Sequence, residues 1–505
     1  MNQLKAGAAL NYVVISLNML VGLLYTPYML RMMGQSEYGL YSLVASVISY
    51  LTVLDLGLGN AIVRYTAKLR AEGKTTEQYE MFGMFLILYI IIGIIAFLAG
   101  LGLYFNVDTL FGATMTVEEL DKAHIMMLLL IFNLAVTFPM SIFGSIITAH
   151  ERFIFPKTVN IIRIILNTLI MICLLKMGYK ALAMVILQTV FNLLTLVINF
   201  LYCKYKLHIR IFFRNFRWSF LKEVAVYSFW IFLNVIMDRI YWSTGQFVLG
   251  AFVGTAAVAI FAVAIQLEHI YMQFSTAIAS VLLPKVTGMV ARNDNPNAIS
   301  NLFIRTGRIQ YIVIALILTS FIVFGRDFIN LWAGSEYDSA YFITLLFFGS
   351  LSIPMIQNLG ITILQARNQM KFRSLLYITI ASFSLIFQII LAKQYGGIGC
   401  AISIAGALLL GQGLIMNIYY HEKQGLDILA FWREISKMSF IPIVICLASM
   451  YILRDTVLNS WPSLGAAIAV FTVVYISLFF RFSMNQSERD LFITPVKRII
   501  RKIRR

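Results

Sequence analysis

Apolar runs of about twenty residues or more follow one another along the whole chain, from a first one beginning near Leu10 to a last one ending near Phe480. Each is long enough to cross the hydrocarbon core of a bilayer as a helix. Inside a bilayer every backbone N–H and C=O needs a partner within the protein, which leaves helix bundles and closed barrels. Barrel strands alternate apolar and polar residues over about ten positions, and these runs do not alternate. Composition points the same way. Of 505 residues, 60% are hydrophobic and 12% charged, against roughly 25% charged in soluble domains. The expected fold class is an all-α polytopic membrane protein.

Reading apolar runs against polar breaks gives about 14 transmembrane helices. They lie near 9–32, 38–62, 81–104, 123–148, 156–175, 180–203, 222–249, 256–283, 307–325, 341–365, 372–392, 397–420, 437–453 and 462–480. The first is read as a retained span, since its apolar stretch runs on too far for a signal peptide and carries no convincing cleavage site. Basic residues fall mostly in alternate connections. One side would hold Lys5, Arg64, Lys68, Arg70 and Lys74, then Arg152 and Lys157, then the run from Lys204 to Lys222 that includes Arg217. Lys285, Arg292, Arg305 and Arg308 continue it, followed by Arg367, Lys371 and Arg373, then Lys423, Arg433 and Lys437. The other side would hold only Arg31, Lys122, Lys176, Lys180, Arg326, Lys393 and Arg454. By the positive-inside rule both termini face the cytoplasm. The net charge of +17 is thus mostly this bias and not a nucleic-acid surface. The tail Lys497–Arg505 would lie on anionic lipid headgroups. Trp218 and Trp432 on one side, and Trp332 and Trp461 on the other, are placed as interfacial anchors.

The two halves echo each other. GQSEYGLYSLVA, from Gly34, resembles GTAAVAIFAVA, from Gly254, and SIITAHERFIFPK resembles TILQARNQMKFRS, with Ala149 aligned to Ala366. Both offsets are about 220 residues. Six spans separate the copies, so they share orientation, as parallel repeats do in two-lobed transporters. The expected organisation is two six-helix lobes, residues 1–210 and 211–425, then two C-terminal helices over 426–482 and a basic cytoplasmic tail over 483–505.

The N-terminal lobe resembles the polysaccharide-biosynthesis (Wzx-type, O-antigen) flippases of the multidrug/oligosaccharidyl-lipid/polysaccharide (MOP) exporter superfamily. The residues that carry this are YTPYMLRMMGQSEYGLYSL (Tyr25 to Leu43), LDLGLGNAIVRYTA (Leu54 to Ala67) and ITAHERF (Ile147 to Phe153). They cover about the first third of the chain. The resemblance implies transport of a polyprenyl-pyrophosphate-linked oligosaccharide from the inner to the outer leaflet of a bacterial cytoplasmic membrane. It implies alternating access between two lobes, coupling to an ion gradient, no cofactor, and glycan polymerases or other assembly proteins as partners. The drug-exporting (MATE) branch shares the fold and is the alternative.

Charge inside a span costs about 2.5–3.5 kcal/mol on insertion scales, so it is expected to face the interior or a water-filled cavity. Arg64, toward the cytoplasmic end of span two, would meet a phosphate or anchor to headgroups; a guanidinium fork matches phosphate oxygens. In a continuous helix it would face away from Asp55, nine residues earlier, while Gly57 and Gly59 would allow close packing or a bend. Arg163 sits on one polar stripe with Asn160 and Asn167. Arg239 would bind pyrophosphate. Asp238 would carry a coupling proton, hold an arginine, or form a structural pair. Glu268 and His269 suit proton exchange or a hydrogen-bonded interior pair. Arg64, Arg163 and Arg239 are thus the candidate pyrophosphate ligands, and Asp55, Asp238, Glu268 and His269 the candidate coupling or gating groups. Three interior arginines favour an anionic cargo over a cationic drug.

Other classes fit less well. A membrane glycan polymerase or ligase needs a sizeable outer loop, and the longest outer connection, about 105–122, has only some eighteen residues. No catalytic set is identified. The five histidines are dispersed, without HExxH or CxxC, so no metal site is expected. LGLGN lacks the third glycine and the βαβ setting of a nucleotide loop. Cys173, Cys203, Cys400 and Cys446 read as small apolar packing residues.

Overall fold

A computed structural model describes residues 3–214, 218–292, 295–367, 369–454, 456 and 458–490. Arg217 and the basic tail Lys497–Arg505 lie outside the described residues, as do the side chains of Lys5, Trp218 and Lys285. Among the described residues there is no strand. The chain is a succession of helices: α1 (Gln3–Met33), α2 (Gln35–Leu51), α3 (Leu58–Ala71), α4 (Thr75–Phe105), α5 (Val107–Phe111) and α6 (Val117–Ala149). Then follow α7 (Ile154–Lys176), α8 (Ala181–Tyr205), α9 (Trp218–Trp242), α10 (Thr244–Phe252), α11 (Thr255–Ala291) and α12 (Pro296–Trp332). The last are α13 (Ala340–Ile356), α14 (Asn358–Ala366), α15 (Lys371–Leu408), α16 (Met416–Glu422), α17 (Ile428–Ile452) and α18 (Trp461–Phe482).

Among the described residues eleven helical stretches are long and apolar enough to cross a membrane, or twelve if the pair α13–α14, bent by 42°, counts as one span. That is fewer than the fourteen read from the sequence, and two places account for the difference. Residues 371–422 count as a single stretch of 52 residues, which at about 1.5 Å per residue is far longer than a bilayer core is thick. Gly396 interrupts it with φ 57 and ψ −134, at the break expected between 392 and 397. The expected seventh span, 222–249, straddles α9 and α10, where part of the side chains lies outside the described residues.

The echo between the halves extends to element boundaries. Gly34 (φ 82) and Gly254 (φ 124) both take a conformation that favours glycine, and a helix starts at the very next residue in each case. Ala149 and Ala366 both end a helix, and the next helix begins five residues later, at Ile154 and Lys371.

Two compact units emerge: Met1–Ala262 with Leu385–Cys400, and Val263–Ser384 with Ala401–Arg505. In the first, α4, α6 and α8 pack side by side and α1 lies along α7. Phe82, Phe85 and Tyr89 of α4 and Ile142, Ile146 and Ile147 of α6 are buried. Glu37 at the start of α2 accepts from Lys122 Nζ (2.5 Å) and from the Ala181 N–H (3.2 Å), joining α2, α6 and α8. Cys203, Cys400 and Cys446 are buried and Cys173 is exposed.

In the second unit α12, α17 and α18 pack around Phe324, Met438, Ile445, Phe471, Tyr475 and Phe479, and α13 lies along α12. Trp332 is buried and stacks on Phe328, so it is a core residue and not the interfacial anchor expected of it. Arg326 forks onto Asp338, both bonds at 2.8 Å, and holds that carboxyl below the usual carboxylate range. Arg308, expected among the loop cations, is instead 6% exposed. Its Nε and Nη2 donate to Glu488 (2.6 and 2.9 Å), its Nη1 to Glu434 (2.8 Å), and its Nη2 also to the Ser483 carbonyl (3.2 Å). One guanidinium thereby fastens α17 and the segment after α18 to α12.

Removing one partner of a buried ion cluster strands the others, at about 3–5 kcal/mol. Arg308→Leu is therefore expected to lower the unfolding midpoint of the detergent-solubilised protein sharply. Adding Glu488→Leu is expected to recover most of the loss, because Glu488 is the buried carboxylate left stranded while Glu434 keeps Lys437 at 2.7 Å.

Candidate functional site

The LDLGLGN stretch is where the second span stops being a helix. Thr52–Asp55 form a 3-10 turn, and Leu56 (φ 52) and Gly57 (φ 71) are left-handed before α3 begins at Leu58. Gly57 supplies a φ that costs other residues about 1–2 kcal/mol. The break reaims the chain, so the argument that Asp55 and Arg64 face opposite sides of one helix does not apply. Asp55, half-buried, accepts a hydrogen bond from Tyr89 Oη of α4 at 3.0 Å. Its carboxylate lies just before the positive N-terminal end of α3.

A second break faces the first. Between α9 and α10 the chain turns at Ser243, whose Oγ accepts from Ser49 Oγ at 3.0 Å, and Tyr50 hydrogen-bonds Thr244. Arg239 Nη2 donates to Thr52 Oγ1 at 3.2 Å, reaching the 3-10 turn itself. Broken helices with polar contacts at the break are how transporters build sites at membrane depth.

Thr52 also lines a cavity of about 440 Å³ formed by α1, α2, α6, α7 and α8. Arg163 lies in its wall, half-buried, with Nη2 donating to Asn160 Oδ1 at 3.1 Å, one turn earlier on the expected stripe. Opposite partners are mostly uncharged. Asn192 Nδ2 donates to Asn133 Oδ1 (2.8 Å) and Thr137 Oγ1 (2.7 Å), and Tyr41 Oη donates to Gln188 Oε1 (3.0 Å). Among the described residues lining the cavity, Arg163 carries the one formal charge and none is acidic.

Of the residues singled out from the sequence, Arg163 and Arg239 thus converge on the cavity, the second through Thr52. Asp55 does not line the cavity; it ends the 3-10 turn, on Tyr89. Arg64 is exposed on α3, its guanidinium 5.6 Å from the centre of the Tyr65 ring. Asp238 is exposed on α9. Glu268 and His269 belong to the other unit. Glu268 is fully buried, His269 is exposed, and Glu268 Oε2 lies 3.3 Å from His269 Nδ1. Among the described residues no group of three or more His, Cys, Asp or Glu could hold a metal.

Sequence reasoning missed Thr52, Tyr89 and the amides of α1, α6 and α8. The signal was there: Asn133 with Thr137, and Gln188 with Asn192, are polar pairs at i,i+4 inside apolar runs, the same spacing that flagged Asn160, Arg163 and Asn167.

Comparison with known proteins places this geometry. Residues 4–290 match the family described as "Polysaccharide biosynthesis protein". The chain is 20% identical to the "Uncharacterized membrane protein EpsK" of Bacillus subtilis (strain 168) over 495 residues, 96% of each chain. Its fold is similar to that of "Lipid II flippase MurJ, inward closed conformation", with TM-score 0.70 and 16% identity, over 94% of this chain and 98% of that one. It is also similar to a multidrug resistance MATE family transporter of the MOP superfamily in its inward-facing conformation, with TM-score 0.61 and 13% identity, over 82% and 99%.

Gly57→Ala is expected to destabilise the protein by about 1–2 kcal/mol, since alanine pays for the left-handed backbone. An unchanged unfolding midpoint would mean that the segment can run on as a continuous helix.

Proposed function

We propose that this chain, which belongs to the polysaccharide biosynthesis protein family, is a flippase. Its cargo is a polyprenyl-pyrophosphate-linked oligosaccharide, moved from the inner to the outer leaflet of the cytoplasmic membrane for a surface polysaccharide such as O-antigen or capsule. The observation that carries this reading is the charge of the cavity: Arg163 in its wall, Arg239 hydrogen-bonded to its Thr52, and no acidic residue among its described lining. Guanidinium offers a planar fork of donors matched to phosphate oxygens. An exporter of cationic drugs needs a carboxylate where this cavity has none.

In this reading the protein performs no covalent step. Arg163 and Arg239 hold the pyrophosphate, and Arg64 receives it at the cytoplasmic mouth. Asp55, Asp238, Glu268 and His269 are the groups through which an ion gradient drives alternating access. The repeated lobes 1–210 and 211–425 carry the exchange, and both termini face the cytoplasm. Helices within 426–482 support the second lobe, and the basic residues of 483–505 rest on anionic lipid. Glycan polymerase and assembly proteins take over the product outside.

The test is complementation in a host lacking its own copy. Arg163→Ala and Arg239→Ala are each expected to reduce surface polysaccharide by about tenfold or more while the protein inserts at normal abundance. Lysine at either position is expected to restore only part, because it keeps the charge without the fork. Full polymer with both arginines replaced would contradict the cationic site.

A further inference from the structure

The pyrophosphate reading uses one polar side chain of the cavity and leaves the rest unexplained. Carboxamides reach it from four helices: Asn18 on α1, Asn133 on α6, Asn167 on α7, and Gln188 with Asn192 on α8. Tyr25 and Tyr41 line it too. Polar side chains at membrane depth are expensive, about 1–3 kcal/mol for each neutral group buried without a partner. A cavity for acyl chains would have no use for five of them.

Hydrogen bonds already present orient part of the set. Both Nδ2 protons of Asn192 are engaged, on Asn133 Oδ1 and Thr137 Oγ1. That chain of bonds leaves out Asn192 Oδ1, an acceptor, and Asn133 Nδ2, a donor. Tyr41 likewise fixes Gln188 by its oxygen, and its amide nitrogen is a donor. Amide donors and acceptors lining one cavity suit the hydroxyls of a sugar, each of which both gives and accepts. Tyrosine rings add flat apolar area against which the C–H face of a pyranose can lie. With about 440 Å³ of volume, the cavity falls in the range of small-ligand sites, roughly 300–1,000 Å³. Its one formal charge, Arg163, suits a neutral ligand that adjoins an anion.

We infer, resting on the flippase reading, that this cavity is a sugar subsite. It takes the sugar residues next to the pyrophosphate, with the amides on ring hydroxyls, the tyrosines on the ring face and Arg163 at the phosphate end. The glycan itself is then recognised inside the first unit, by uncharged groups.

Two probes separate sugar from pyrophosphate: polyprenyl pyrophosphate, and the same lipid carrying the oligosaccharide isolated from cells in which the gene is deleted. Each is titrated against the full-length protein in nanodiscs, with bound lipid read by native mass spectrometry. The wild type is expected to bind the glycosylated lipid more tightly. Asn167→Ala and Gln188→Ala are each expected to weaken that binding by about tenfold, the loss of one or two neutral hydrogen bonds, and to leave the bare lipid unaffected. Arg163→Ala is expected to weaken both. Asn18→Ala, at an exposed position of α1, takes the place of any amide variant that fails to fold. Equal wild-type affinity for the two probes, or amide variants that leave both unchanged or weaken both alike, would overturn the sugar subsite and leave the flippase reading in place. A wild type that binds neither probe would overturn both.

Discussion

A backbone carbonyl released from its helix inside a bilayer has no water to turn to, so the protein must supply the partner. That constraint organises the departures from regular helix in this chain. At the break after α2, Thr52 Oγ1 donates to the Ser49 carbonyl (2.6 Å) and accepts from Arg239. At the break between α9 and α10, Thr244 and Ser243 meet Tyr50 and Ser49. In the second unit Asn417 Nδ2 donates to the Gln412 and Gly413 carbonyls of a π-helical stretch, residues 409–415 (3.0 and 2.8 Å), and Asn417 Oδ1 accepts from Gln357, where α13 bends into α14. These three interruptions are met by hydroxyls, amides or a guanidinium. Of these side chains Thr52 also lines the cavity of the first unit.

Charge is distributed with similar economy. Lys122 and Arg326, two of the cations expected on the outer side, are neutralised by Glu37, Glu118 and Asp338. Arg308 is buried against two carboxylates and serves the attachment of the last two helices. Arg163 and Arg239 differ from these: the hydrogen bonds seen for them run to an amide and a hydroxyl, not to an acid. A guanidinium held by neutral groups keeps its positive field for a ligand, whereas one matched by carboxylates does not. In the proposed reading this contrast separates arginines that build the fold from the two assigned to phosphate.

Much of this was legible in the sequence, and the gaps have physical causes. Long apolar runs fix helices because lipid permits little else, and the glycines and alanines aligned at offsets near 220 fall on true helix starts and stops. The polar stripe through Asn160, Arg163 and Asn167 was visible because its members share one helix face. The 3-10 turn at Thr52–Asp55 was not: nothing local distinguishes glycines that break a helix from glycines that let another pack against it. Reading the span as continuous also rested the separation of Asp55 and Arg64 on a helix geometry that the break removes. Arg308 was taken for a loop cation because its partners lie 126 and 180 residues away. Trp332 looked interfacial by position and is buried by a stack that sequence does not reveal. The fourteen spans exceed the eleven or twelve counted among the described residues at two places, the long stretch that Gly396 divides and the expected seventh span over α9 and α10.

The central claim is transport of a lipid-linked glycan, and its most direct measurement is chemical. Deleting the gene in its own host and analysing both the polyprenyl-linked glycans and the surface polysaccharide separates transport from synthesis. The account predicts that a complete lipid-linked unit accumulates while surface polymer is lost. A truncated lipid-linked unit would place the protein among the assembly enzymes and contradict the account, and so would unchanged glycans in a host with no second flippase.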